Sequence, residues 1–181
     1  ISLKKSEKIK FILCRHEQAA AFMADVYGRL TGNPAACLGT LGPGATNLVT
    51  GVADANMDRA PLIALTGQAD TKRCHKESHQ VMDVVHMFQP ITKWSASIAH
   101  PDNIPEIMRK AVKIARTEKP GAVHIELPED IAELDTEKKP IKVKRTRRPY
   151  PDPKAIKSAI ELIESAKRPI VLAGNGCVRK R

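Results

Sequence analysis

Aromatic residues are scarce in this chain, which has one Trp, two Tyr and three Phe among 181 residues. A buried core must therefore be built from Ala, Val, Ile, Leu and Met, and the hydrophobic share of 42% is sufficient for one. The chain also lacks an apolar run near the roughly 18 residues that a membrane-spanning helix needs. Its polar first ten residues contain no apolar segment typical of a secretory signal. We therefore expect no membrane partner and a cytoplasmic location.

The four cysteines contain no C-x-x-C pair, which argues against a zinc ribbon or a redox motif. Cys14 and Cys37 lie in apolar runs, where a free thiol behaves as a small hydrophobic side chain. This pattern favours a reduced environment over a disulfide framework.

Positive charge is concentrated at one end of the chain. Residues 1–137 carry 16 Lys and Arg against 17 Asp and Glu, whereas residues 138–181 carry 14 against 3. A basic tail provides only a sequence-independent attraction to nucleic acid. The location of the net charge of +10 in this tail therefore disfavours nucleic acid as a partner of the folded body.

Patterns typical of strands and helices alternate along residues 8–135. Strands are predicted at residues 8–14, 35–38, 61–66 and 121–127, and residues 91–98 are predicted to be irregular or a short strand. Helices are predicted at residues 16–30, 45–57, 81–88 and 105–117. Such alternation indicates an α/β fold in which a parallel sheet is flanked by helices on both faces.

The first predicted helix has apolar residues at three- and four-residue steps, which predicts one buried face. The members of that face are Ala19, Ala20, Phe22, Met23, Val26, Tyr27 and Leu30.

Three domain segments are expected. Residues 1–137 form the α/β body, and residues 138–150 form a basic, proline-punctuated linker. Residues 151–181 are expected to begin a second, truncated domain, with a helix at 153–166 and a strand at 169–173.

Glu17, the glycine-rich loop at 42–44 and Gln68 each follow a predicted strand. Ligands of parallel α/β folds bind at the carboxyl ends of the strands, so these residues are expected on one rim of the sheet. Two structural explanations stay open: an acid in a first helical turn complements the helix dipole, and a glycine-rich loop permits a tight turn. The loop matches neither G-x-G-x-x-G nor a P-loop.

A metal site is considered for Cys74, His75, Glu77 and His79, which lie close together in sequence, and for His86 beyond them. Their spacing fits no specific zinc pattern, and a polar loop is the favoured interpretation. No metal ligand is predicted in this chain.

Three blocks carry a family resemblance: R-H-E-Q-A-A-A-F-M-A-D-V-Y-G-R-L-T-G at 15–32, G-T-L-G-P-G-A-T-N-L-V-T-G-V-A-D-A at 39–55 and P-L-I-A-L-T-G-Q at 61–68. In order and spacing they resemble the large subunit of acetolactate synthase, a thiamine-diphosphate-dependent family. The resemblance implies that residues 8–135 are the pyrimidine-binding domain and that residues 151–181 begin the central domain.

The resemblance also implies roles for individual residues. Glu17 matches the catalytic glutamate that hydrogen-bonds N1′ of the cofactor's aminopyrimidine ring, and Gln80 matches a glutamine near the reacting centre. Positions that line the pyrimidine pocket are matched by Thr40, Pro43, Gly44 and Asn47. The implied reaction is decarboxylation of pyruvate and condensation with a second 2-oxo acid to a 2-acetohydroxy acid, as in branched-chain amino acid biosynthesis.

The implied cofactors are thiamine diphosphate and Mg²⁺, with the metal ligands expected in a diphosphate-binding domain outside this chain. The implied partners are further copies in a homodimer or tetramer that shares the site, and a regulatory small subunit. The family's first strand and helix are expected to precede Ile1, so this chain alone is expected to be inactive. Whether FAD binds stays open, because the flavin-contacting part of the central domain is expected outside this chain. The segment that begins at His79-Gln80 is closer to the catabolic, flavin-independent enzymes.

Two alternatives remain at this point. One is another thiamine-diphosphate enzyme, such as a pyruvate oxidase, another 2-oxo acid carboligase or a sulfoacetaldehyde acetyltransferase. The other is a non-catalytic basic binding module.

Overall fold

The computed structural model describes residues 2–144 and 150–177. The chain divides into two compact units, Ile1–Lys144 and Arg145–Arg181. No helix in the described residues is both long and apolar enough to cross a membrane.

A four-stranded sheet organises the larger unit. All of its neighbouring strands are parallel, and their order is β1-β2-β4-β3. The strands are β1 (Ala35–Gly39), β2 (Leu62–Gln68), β3 (Ser95–Ser97) and β4 (Ala122–Pro128). The predicted parallel α/β fold is confirmed.

Helices cover both faces of this sheet. The described helices of the unit are α1 (Ser2–Lys5), α2 (Glu17–Thr31), α3 (Pro43–Met57), α4 (Val84–Phe88), α5 (Ile104–Arg116) and α6 (Glu129–Glu133). On one face, Leu62 and Ala64 of β2 pack with buried residues of α2, α3 and α4. On the other face, Ile63 packs with Val123, Ile125 and the buried alanines of α5. Two cores result because successive strand side chains point to opposite faces.

The ends of α2 and α3 follow local signals in the sequence. The Nδ1 atom of His16 accepts a hydrogen bond from the backbone N–H of Gln18 at 3.2 Å and caps α2. Gly32, with φ 69°, ends that helix in the left-handed conformation that glycine favours. Helix α3 begins at Pro43, two residues earlier than predicted, because a first-turn proline gives up only an N–H that lacks a helical partner.

The predicted buried face of α2 is wrong. The residues of α2 that are buried are Ala21, Ala24, Asp25 and Gly28. The large apolar side chains are exposed instead, from 37% for Phe22 to 81% for Leu30. Apart from Ala20, which is partly buried against the core, the apolar stripe read from the sequence therefore faces outward in this structure.

Close packing against neighbouring backbone explains this reversal. A Cβ atom added to Gly51 of α3 would lie 2.6 Å from the Cβ of Ala21, and one added to Gly28 would lie 2.4 Å from the carbonyl oxygen of Pro61. Only small residues fit at such distances. Periodicity could not distinguish the small face from the large one, because both recur at three- and four-residue steps.

An ion cluster also holds α2 against α3. The Arg29 guanidinium contacts the buried carboxylate of Asp25 at 2.8 Å, Asp54 at 2.7 Å, and Asp58. The ion pair with Arg29 compensates the charge of Asp25, which lies on the inner face of α2.

Two predicted strands are absent from the structure. Residues 8–14 have no regular secondary structure, and their apolar side chains at Ile9, Phe11, Ile12 and Leu13 are exposed. Residues 169–173 are likewise irregular. An apolar run becomes a strand only where a neighbouring strand shares its backbone hydrogen bonds, and none of the described strands pairs with these runs.

The smaller unit contains α7 (Pro153–Ser165), close to the helix predicted there. Asp152 caps α7, since its carboxylate accepts a hydrogen bond from the N–H of Lys154 at 2.9 Å. Of the predicted linker, residues 138–144 are exposed and without regular structure, and residues 145–149 lie outside the described residues. The assignment of residues 138–150 as an interdomain linker stays a prediction.

Candidate functional site

Glu17 and Asn47 meet across the N-terminal turns of two helices. Glu17 is the first residue of α2, and Asn47 lies one turn into α3. The Asn47 amide Nδ2 donates a hydrogen bond to Glu17 Oε2 at 3.0 Å. The fold thus joins two predicted site residues that are 30 positions apart in sequence.

The glycine-rich loop contributes bare backbone beside this carboxylate. Gly44 is buried, and a Cβ atom added to it would lie 2.8 Å from Cγ2 of Thr40 and 3.4 Å from Oε1 of Glu17. Thr40 and Gly44 therefore adjoin Glu17. Pro43 precedes Gly44 as the exposed first residue of α3.

The Glu17 carboxylate is held in its charged form. Its pKa is lowered from the usual value, first by the hydrogen bond from Asn47 and then by a backbone hydrogen bond, with partial burial opposing both. The carboxylate is thus an ionised hydrogen-bond acceptor at neutral pH.

Gln80 lies against the same loop. It is exposed and has φ 59°, a left-handed conformation that is uncommon outside glycine. A Cβ atom added to Gly42 would lie 2.8 Å from the Cβ of Gln80. The missing side chain at Gly42 is what allows Gln80 to approach the loop.

Gln68, at the end of β2, makes side-chain hydrogen bonds that the sequence did not predict. Its Nε2 donates to the carbonyl oxygen of Met82 at 2.8 Å and to Glu126 Oε2 at 2.9 Å. Glu126 is 6% exposed, and burial raises the pKa of its carboxyl. The only sequence signal for Glu126 is a charged residue inside the apolar strand G-A-V-H-I-E-L.

His124 is the second polar residue of that strand and was also missed. Its ring is fully buried and stacks on Phe88 with centroids 4.2 Å apart. Nδ1 lies 2.8 Å from Ser95 Oγ, and Nε2 lies 2.9 Å from Thr66 Oγ1. Burial lowers the pKa of His124 to about 4, so the imidazole is neutral at physiological pH.

The polar loop considered as a metal site does not assemble one. His75, Glu77 and His79 are exposed. Within the described residues, no group of three or more His, Cys, Asp or Glu side chains is arranged to hold a metal ion.

Comparison with known proteins adds family information to this geometry. Residues 1–87 match the family described as "Thiamine pyrophosphate enzyme, N-terminal TPP binding domain". The chain is 51% identical over 172 residues to the "Probable acetolactate synthase large subunit" of Methanococcus aeolicus, an alignment that covers 91% of this chain and 29% of that relative.

Two further relatives agree. Over 174 residues the chain is 47% identical to the "Probable acetolactate synthase large subunit" of Methanocaldococcus jannaschii, with 92% of this chain and 29% of the relative covered. Over 179 residues it is 37% identical to the "Acetolactate synthase isozyme 1 large subunit" of Escherichia coli, with 98% of this chain and 32% of the relative covered. The chain thus spans about three tenths of the length of these relatives.

Proposed function

We propose that this chain binds the pyrimidine end of thiamine diphosphate in an acetolactate synthase. The premise is that the chain belongs to the thiamine pyrophosphate enzymes and is a relative of the acetolactate synthase large subunits. The observation that carries the proposal is the ionised Glu17 carboxylate, held by Asn47 and flanked by the bare backbone of Gly44.

The chemistry of these groups fits an aminopyrimidine ring. Such a ring is flat, and its edge carries nitrogens that can share a proton with a carboxylate. Glu17 supplies the carboxylate, and the absence of a side chain at Gly44 leaves room beside it. Thr40 and Pro43 would line the same pocket.

When bound, thiamine diphosphate supplies the carbon nucleophile and electron sink for the decarboxylation of 2-oxo acids. Glu17 would share a proton with the ring nitrogen N1′, as a general acid–base group. Asn47 would fix the orientation of Glu17, because its amide already occupies Oε2. Gln80, held at the edge of the loop, would lie toward the substrate.

The proposed reaction joins pyruvate, after decarboxylation, to a second 2-oxo acid, and the product is a 2-acetohydroxy acid. We further propose that a second copy of the chain contributes to the assembly. The exposed apolar side chains of α2, including Phe22, Tyr27 and Leu30, support a contact with another protein surface. A regulatory small subunit, Mg²⁺ bound by residues outside this chain, and a cytoplasmic location complete the proposal.

A chimaera tests this function directly. Residues 1–181 would replace the matching segment of the Methanococcus aeolicus large subunit, and acetolactate formation from pyruvate would be measured. We expect the chimaera to be active. We expect Glu17→Gln to lower kcat on the order of 10²- to 10⁴-fold, because the substitution removes the proton-sharing carboxylate.

Glu106→Gln is the matched control, because Glu106 is also an acid in the first turn of a helix. It should leave kcat nearly unchanged. Equal and small effects of both substitutions would mean that Glu17 only complements the helix dipole, and the proposal would fail.

A further inference from the structure

We propose that Gln68 and Glu126 form a buried strut that positions Gln80 at the site by holding the Met82 carbonyl. The effect of this strut on catalysis rests on the proposed function. The strut itself can be tested on this chain without any measurement of activity. In it, Gln68 and Glu126 are positioning residues that act through Gln80.

The strut uses nearly all the hydrogen-bonding capacity of the Gln68 amide. Both N–H groups of Nε2 have acceptors, the Met82 carbonyl at 2.8 Å and Glu126 Oε2 at 2.9 Å. Oε1 accepts a hydrogen bond from the N–H of Ala69 at 3.0 Å. Gln68 is 5% exposed and Glu126 is 6% exposed, so water competes little for these contacts.

Gln80 lies between two tethered points of the chain. Arg73 Nε donates to Ser78 Oγ at 2.8 Å on one side, and Gln68 holds Met82 on the other. Between them, the N–H of Val81 donates to the Ser78 carbonyl at 3.2 Å.

The backbone of Gln80 needs such support. A left-handed conformation at a non-glycine residue persists only when its surroundings hold it. Here Gln80 has φ 59° and sits in the notch that Gly42 leaves open. Release of Met82 would let the segment relax, and Gln80 would leave that notch.

A purely structural role would have a different signature. If the strut only joined β2 to β4, its loss would lower the stability of the whole unit and would not act on Gln80 in particular. Two comparisons therefore test the strut. One compares amide exchange in the segment at 78–82 with amide exchange in β2 and β4, and the other compares the effects on kcat of substitutions at Gln68 and Gln80.

The first measurement is amide hydrogen exchange on the 181-residue chain. Gln68→Met keeps the length of the side chain and removes both donors. We expect exchange at Val81 and Val84 to speed up about tenfold, the amount that one lost hydrogen bond predicts, with little change in β2 and β4. Glu126→Gln keeps an acceptor for Gln68 and should resemble the unmodified chain.

Ser95→Ala serves as the control, since Ser95 Oγ donates to the Val85 carbonyl and so tethers α4 outside the segment at 78–82. It should not speed exchange at Val81. If Gln68→Met does not fold, Gln68→Asn is the second variant, because a side chain shorter by one methylene no longer reaches the Met82 carbonyl. Unchanged exchange at Val81 in the folded variant would overturn the inference.

The second measurement is a double-mutant cycle in the chimaera. We expect Gln68→Met and Gln80→Ala each to lower kcat about tenfold or more, without weakening the binding of thiamine diphosphate. The kcat of the double variant should be no lower than that of Gln80→Ala, because both substitutions remove the same contribution, that of a positioned Gln80. Additive losses of kcat would overturn the positioning role. An inactive parent chimaera would count against the proposed function, and hydrogen exchange alone would then decide whether the strut exists.

Discussion

At the scale of single residues, two glycines with positive φ angles differ in what they are needed for: Gly32 has ψ 9° and Gly42 has ψ −117°. Gly32 has φ 69° and ends α2, and a Cβ atom added there meets nothing within 4 Å. Gly42 has φ 58°, but its added Cβ atom would lie 2.8 Å from the Cβ of Gln80 and 3.0 Å from the Gln80 carbonyl oxygen. Gly32 is needed for its conformation alone, whereas Gly42 is needed for its conformation and for space.

This difference predicts unequal effects of alanine at the two positions. Gly32→Ala should lower the free energy of unfolding by about 1–2 kcal/mol, the cost of a left-handed L-residue. Gly42→Ala should cost more, because its φ 58° and ψ −117° disfavour an L-residue more strongly and because the new methyl group also displaces Gln80. Urea unfolding of both variants measures the difference, and equal losses would contradict the larger cost expected at Gly42.

Residue identities in the site were predictable to a limited extent. Glu17, Thr40, Gly44 and Asn47 were named from sequence, and the structure brings them together. The partners of Gln68 were not predictable. A hydrogen bond between residues 58 positions apart depends on which strands are neighbours, and the pairing of β2 with β4 is a property of the sheet.

At the scale of elements, His124 links the two central strands, the edge strand and a helix. It contacts Thr66 of β2 and Ser95 of β3, and Ser95 Oγ in turn donates to the carbonyl of Val85 in α4. Since the Ser95 hydroxyl donates to Val85, it accepts from Nδ1 of His124. Nε2 is then left to accept from Thr66, which only a neutral ring can do.

The neutral ring predicts a pH dependence of stability. The pKa of His124 is about 4 in the folded chain and about 6.5 in an unfolded one. Between these values the unfolded state binds more protons, so stability falls as the pH falls from about 6.5 to about 4, by about 3 kcal/mol in total. Urea unfolding at a series of pH values measures the slope.

His124→Gln should flatten the slope, because it removes the titrating group. The control is His86→Gln, because the His86 side chain is 72% exposed and is paired with the neighbouring, 64% exposed Asp83. This substitution removes an exposed histidine and keeps the buried one, so the slope should persist. A slope that survives His124→Gln would contradict the assignment to this residue.

The elements themselves were predicted with uneven success. Their order and most of their boundaries follow from periodicity, N-caps and glycine, since these are local signals. The strand at 8–14 was wrong because strand formation needs a partner. The buried face of α2 was wrong because Ala21 and Gly28 touch neighbouring backbone that the sequence does not display.

At the scale of the whole molecule, charge separates the two ends of the chain. Lys and Arg nearly balance Asp and Glu through residue 137, and the excess of positive charge lies beyond it. A nucleic-acid-binding function would therefore reside in residues 138–181 and not in residues 1–137.

A gel-shift comparison tests this separation. The chain truncated after Glu137 should not retard duplex DNA, and any retardation by all 181 residues should weaken steeply between about 50 and 200 mM salt, because counterion release drives such binding. Salt-resistant binding by the truncated chain would revive the binding-module interpretation.

The sequence by itself determined the fold class, the family resemblance and the identity of the residues at the glycine-rich loop. These depend on local patterns and on residue order, both of which are visible along the chain. Only the tertiary structure decided which face of α2 is buried, which apolar runs become strands, and how Gln68 and Glu126 hold the segment that carries Gln80. Each of these depends on distances between residues far apart in sequence, and packing of the whole unit sets those distances.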